Sequence, residues 1–199
     1  MKRRKFLTTR FILLVFVIMA TMAESGRANL PRDVEKRLRS KLSNAVEKKL
    51  TKLKFYCHEN IYGKNPTAVP VAKASSNVTS GLSTLFGLVM VVDNKLTVGP
   101  EPDSKLIGYA RGIYASASRQ REEALLTIVN FVFTDGKYKG SALSVLGRNP
   151  IFHGYRELPV VGGSGGFQLA RGSATAETYT FDRISGDPIV EYNVIVLHY

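Results

Sequence analysis

The chain has 199 residues and a single cysteine, which suits one domain with a substantial core and excludes an intramolecular disulfide. Its formal charge of +12 suggests nucleic acid, but residues 1–23 carry five Lys/Arg and no acid, 24–54 carry ten against four, and 55–199 carry thirteen against twelve. A phosphate-binding footprint needs clustered charge on the folded domain, so no nucleic-acid partner is expected.

At the N-terminus, Lys2, Arg3, Arg4, Lys5 and Arg10 precede the apolar run Phe11–Ala20. This is the pattern of a signal peptide, with cleavage expected after Ala23 or Ala28 and a secreted product with no membrane attachment. The apolar run is short for a membrane span. Residues 24–49 form a basic extension. Within it, 31–49 is expected to be an amphipathic helix, because Pro31 suits a first helical position and Val34, Leu38, Leu42, Val46 and Leu50 recur at spacings of four.

From Leu50 onward the pattern turns to β. Strands are predicted at 50–61, 67–74, 84–93, 105–117, 123–134, 138–147, 167–181 and 188–198, with a short extended piece at 153–161. The intervening turns carry suitable chemistry, Asp135-Gly136 being the strongest hairpin signal. About eight short strands fit an all-β fold, a closed antiparallel barrel or a sandwich. Cys57 follows Phe55-Tyr56 and reads as a buried small hydrophobe. Asn77-Val78-Thr79 is a usable glycosylation sequon, which places Asn77 on an exposed loop. In Ala124–Phe133 both faces are apolar, so the outer wall is expected to be covered by a partner subunit or by the N-terminal helix.

Several chemistries lack their signatures. His58, His153 and His198 have no metal-ligand spacing, and there is no Gly-x-Ser-x-Gly elbow. Gly163-Ser164-Gly165-Gly166 precedes a strand, not a helix, so it is no phosphate loop. No metal or cofactor is expected. What remains is a set of polar residues in apolar surroundings: Glu59 at the end of the first strand's apolar run, Tyr114, Arg148 and Asn149 at a turn, and Arg156 beyond it. A carboxylate, an arginine and a tyrosine converging in an apolar pocket bind a phenolic ligand and handle its protons. Taken singly, Glu59 and Arg156 also suit a strand-end ion pair, and Tyr114 a core aromatic.

Across residues 50–199 the sequence resembles the plant dirigent family. The runs that carry the resemblance are Lys54–Ile61, Gly63–Val69, Phe86–Val92, Gly108–Tyr114, Gly140–Pro150, Arg156–Gly165, Ala170–Gly172 and Ile189–Tyr199. The resemblance implies an eight-stranded antiparallel β-barrel, usually a homotrimer, secreted to the apoplast, glycosylated, and active in phenylpropanoid metabolism and plant defence. Members orient phenoxy radicals, made by a separate laccase or peroxidase, for stereoselective coupling to lignans. Other members dehydrate isoflavanols through a quinone methide to give pterocarpans. By position, the family's catalytic residues fall at Glu59, Tyr114 and Arg156, with substrate contacts at Arg148, Asn149, Ser116 and Phe181. Lignan-forming members carry an acid where this chain has Asn149 and an aromatic where it has Ser116. The Gly-Arg-Asn-Pro form resembles the branch that includes the pterocarpan-forming members. The loop Gly162–Gly166 is expected beside the pocket mouth.

Overall fold

The computed structural model describes residues 48–119 and 122–199, together with Lys36, Arg39 and Ser40, which are helical. The signal peptide and most of the predicted helix therefore lie outside the described residues. That helix does not extend to residue 49, because Lys49 already opens the first strand.

Nine strands follow: β1 (Lys49–His58), β2 (Ala68–Ala72), β3 (Val89–Thr97), β4 (Leu106–Ser116), β5 (Leu125–Phe133), β6 (Ala142–Asn149), β7 (Arg156–Ser164), β8 (Arg171–Phe181) and β9 (Pro188–His198). All neighbours pair antiparallel in the order β1-β9-β8-β7-β6-β5-β4-β3-β2. Closure comes from β1, whose Tyr56, Cys57 and His58 pair with Thr97, Leu96 and Lys95 of β3. The other half of the same β3 edge is taken by β2. Because β1 and β2 share one edge, the nine segments form an eight-stranded antiparallel barrel with no long free edge.

Several predicted strands shift at their ends: 50–61 stops at His58, 167–181 starts at Arg171, and 138–147 becomes Ala142–Asn149, so Arg148 and Asn149 end a strand and do not form the expected turn. Two further elements differ more in kind. The strand expected at 84–93 starts five residues later and runs on to Thr97. Gly87 takes a positive φ of 84°, and the Leu85 amide is drawn away by Glu123 Oε2 at 2.6 Å, so the regular strand begins only at Val89, although Gly87 and Leu88 keep backbone bonds to Ser116. The short piece expected at 153–161 is the full strand β7, displaced toward the C-terminus. Gly162 and Gly163 read as a turn in the sequence but pair with Ser144 and Leu143. A side chain on Gly163 would meet the Phe167 and Ala142 carbonyl oxygens at 2.6 and 2.7 Å. The turn itself begins at Gly165, where φ is +62°.

Inward-facing residues follow the two-residue period. Phe55, Leu96, Phe131, Leu143, Leu158, Val160, Val194 and Val196 fill the barrel and are almost wholly buried. Each contributes roughly 1.5–3 kcal/mol of hydrophobic stabilisation. In β5 the inner Val129, Phe131 and Phe133 are buried, whereas the outer Leu126 and Ile128 are exposed. Both faces are apolar, as predicted.

The two ends of the barrel differ. Where β5 and β9 finish, Phe133, Tyr138, Phe167 and His198 form an aromatic plug, with Tyr138 and Phe167 stacked at 4.3 Å. Gly165 and Gly166 pack there against Ser141. The glycine loop therefore lies at the end opposite the polar residues, not beside them, because β7 runs away from Arg156 toward Ser164. The other end, where β1, β4, β6 and β8 finish, carries polar groups.

Candidate active site

Glu59 follows β1 on the inward side set by Phe55 and Cys57. Its Oε1 accepts a hydrogen bond from the Tyr114 hydroxyl at 2.7 Å, and its Oε2 accepts from Asn94 Nδ2 at 3.0 Å. Burial pushes the Glu59 carboxyl above the ordinary glutamate range. The bonds from Tyr114 and Asn94 pull the other way, and Asp187 adds a further upward push. Burial wins because the ionised form loses more water than two donors replace. Burial and the Glu59 charge also raise the Tyr114 phenol, so this hydroxyl keeps its proton and donates.

Arg156 opens β7 on the inward face and is buried. Its guanidinium donates to the Ala176 carbonyl at 3.2 Å, the Ile151 carbonyl at 3.2 Å and Thr178 Oγ1 at 3.1 Å. The strand-end ion pair with Glu59 does not form, since each group is held by other partners. Loss of water lowers the Arg156 pKa from its ordinary value, and Tyr192 and Glu177 oppose that shift. Arg156 nonetheless remains a buried cation, for no protein environment readily deprotonates a guanidinium.

The remaining expected contacts divide by strand phase. Asn149 is buried inside the barrel, with Nδ2 3.5 Å from Thr127 Oγ1 and its Oδ1 unpaired. Arg148, one residue earlier, projects outward, where it pairs with Glu122, and is not part of the interior. Ser116 is buried, but its hydroxyl is held by Glu123. Phe181 is exposed at the end of β8. With Glu59, Asn60, Asp182, Asp187 and Ile189, among others, it lines an open pocket of about 520 Å³. The structure thus brings Glu59 and Tyr114 into contact and places Arg156 and Asn149 at the same end.

Asn94 and Asp187 were missed from the sequence. Asn94 sits on the inward phase of β3 after Met90 and Val92, but the strand was predicted to stop at 93. A polar residue in phase with buried apolar ones was the available signal. Asp187 belongs to the β8–β9 turn and accepts the Ile61 amide at 2.7 Å. Only tertiary contact brings it near Glu59. Cys57 is buried, as expected, and burial holds its thiol protonated. Asn77 is exposed in the helical turn Ser76–Thr79.

Fold and site together define an antiparallel barrel with an apolar wall, one aromatic end and a largely buried, hydrogen-bonded carboxyl at the other. A family profile described as "Dirigent-like protein" matches residues 50–197, and the chain belongs to the dirigent family. It is 40% identical over 190 residues to Dirigent protein 23 of Arabidopsis thaliana, covering 96% of both chains. It is 46% identical over 154 residues to Pterocarpan synthase 1 of Glycyrrhiza echinata, covering 77% of this chain and 80% of that one. The structure of a pterocarpan synthase dirigent protein superposes with a TM-score of 0.73 at 45% identity, covering 80% of this chain and 96% of that one.

Proposed function

We propose that this protein binds a phenolic alcohol inside the barrel and dehydrates it through a quinone methide, as a pterocarpan-synthase-like enzyme. The observation that carries the reading is the Glu59 carboxyl: buried, raised in pKa and held by Tyr114 and Asn94 at the end that also holds the Arg156 cation. A carboxyl whose hold on its proton is strengthened by burial is better suited to general-acid work than a solvated one.

In this reading Glu59 gives its proton to the benzylic hydroxyl, the C–O bond breaks and water leaves. The phenol conjugated with that carbon gives up its proton to solvent, leaving a neutral quinone methide. A second substrate hydroxyl then adds to the methide carbon, and its proton returns to Glu59. The ring oxygen takes back a proton from solvent, so the net change is loss of one water. Tyr114 keeps the carboxyl aimed, and Arg156 stabilises the phenolate-like oxygen as charge develops. Asn149, an amide, takes no proton-transfer role.

A second reading is stereoselective coupling of two phenoxy radicals supplied by a separate laccase or peroxidase. The pocket of about 520 Å³ beside Glu59 and Phe181 favours it, since that volume suits a second phenolic ring. One experiment separates the two. Turnover of an isoflavanol without oxidant, followed by chiral chromatography, supports dehydration. Its absence, with optically active product from coniferyl alcohol plus laccase, supports coupling.

The protein is further proposed to be secreted to the apoplast, to carry a glycan at Asn77 and to act as a homotrimer. The outer wall supports the last point. Val69, Val91, Ile113, Ile128 and Leu146 stand in cross-strand register over five strands, and all five are exposed. A continuous apolar stripe of this kind suits a subunit interface.

A further inference from the structure

We propose that Tyr192 is a further substrate-contacting residue, whose hydroxyl, together with the free N–H groups of Arg156, cradles the phenolic oxygen of the ligand. The inference rests on the reading that the barrel interior receives a phenol. Four inward positions form one row across neighbouring strands. Phe55 of β1 pairs with Tyr192 of β9, Tyr192 with Ala176 of β8, and Ala176 with Arg156 of β7. Between the tyrosine and the arginine stands only the methyl of Ala176, which is fully buried. The row therefore puts only a small apolar side chain between a tyrosine and an arginine.

The Tyr192 ring is fixed from two sides. It stacks on Phe55 at 5.8 Å and 27°, and meets Phe131 edge-on at 5.0 Å. Its hydroxyl has no hydrogen-bond partner among the described residues. The other tyrosines of the interior differ: Tyr114 bonds Glu59 and Tyr138 bonds Thr51. Tyr192 is only partly buried, so a fixed ring presents an unused hydroxyl that a ligand oxygen can engage in place of water.

The electrostatics agree. Burial is the leading influence that keeps the Tyr192 hydroxyl protonated; Cys57 and Glu59 reinforce it electrostatically and Arg156 opposes it. It therefore faces a ligand oxygen as a donor. Arg156 spends three N–H groups on Ala176, Ile151 and Thr178, and a guanidinium carries five. The register sets the two remaining donors of one side chain and the hydroxyl of the other on either side of Ala176. An oxygen gaining negative charge is the group that such donors favour.

The test uses 4-nitrophenol, whose absorption separates phenol from phenolate. The wild-type protein should bind it and raise its phenolate fraction relative to free probe at the same pH. Tyr192→Phe keeps the ring stack and removes one oxygen. It should weaken binding about 3- to 10-fold and return part of the spectral shift, with an unchanged Tm. Ala176→Val, which fills the gap, should weaken binding as well. Tyr138→Phe, whose hydroxyl bonds Thr51, should lower Tm but leave the probe unaffected. Wild-type affinity and spectrum in Tyr192→Phe would overturn the inference, as would a Tm loss matching that of Tyr138→Phe. If Glu59→Gln abolishes isoflavanol turnover while Tyr192→Phe changes neither KM nor probe binding, this inference fails and the proposed reaction stands. Failure of the wild type to turn over isoflavanol while the probe shift holds reverses that outcome.

Discussion

Replacing Glu59 by glutamine isolates the proton on which the proposed reaction depends. The side chain keeps its length, and one terminal oxygen continues to accept from Tyr114, now 2.7 Å from Oε1. The other position becomes an NH2 group facing Asn94 Nδ2, which would set two donors opposite each other. Asn94 resolves this by turning its amide over, since its Oδ1 is buried and unpaired and can accept from the new group. Folding should therefore change by less than about 1 kcal/mol. Losing a general acid costs roughly 10²- to 10⁴-fold in rate, or about 2.7–5.5 kcal/mol of transition-state stabilisation. Initial rates of isoflavanol dehydration, paired with thermal unfolding, read both quantities.

The pH dependence follows from the direction of the shift. Burial raises the folded-state pKa of Glu59 above its unfolded value, so the group's contribution to stability is complete below the unfolded pKa. It is lost as pH rises through the raised folded pKa, where a charge must be held in the barrel. Glutamine never ionises, so Glu59→Gln should flatten this decline and match or exceed wild-type stability above that pH. A folded glutamine variant that dehydrates substrate within threefold of the wild-type rate would refute the assignment of Glu59 as acid.

Tyr114→Phe removes a bond that lowers the Glu59 pKa. The basic limb of its pH–rate profile should move to higher pH, with a reduced plateau, in stopped-time product assays. Phe131→Ala empties a buried site between Phe55 and Tyr192 and should cost about 3–5 kcal/mol in urea unfolding. Gly112→Ala would set its methyl 2.1 Å from the Ile128 carbonyl oxygen, a backbone atom that does not yield. A loss of about 1–3 kcal/mol is expected by the same assay. Ile128→Glu places charge in the outer apolar stripe and should convert the proposed trimer to monomer in sedimentation velocity. A wild type that already sediments as a monomer at micromolar concentration would count against that interface.

Much of the fold was legible because a barrel strand writes its two-residue period into the chain. The runs rich in apolar and β-branched residues at β4, β5 and β9 and the Asp135-Gly136 turn suffice to locate those elements. Glu59, Tyr114 and Arg156 stood out as polar groups in apolar strands, and all three are at least partly buried at one end. Strand phase also separates Asn149 from Arg148, but only once the register of β6 is known.

The sequence by itself determined the strand period, the all-β class and the residue types available for proton chemistry, because these follow from local alternation. Tertiary structure decided what depends on closure and shear. It put Asn94 and Tyr114 on the Glu59 carboxyl, and it separated Glu59 from Arg156. It also sent Gly165 to the aromatic end and aligned Tyr192 with Arg156 across Ala176. Each of these joins strands far apart in the chain, and only the pairing register brings such residues within bonding distance.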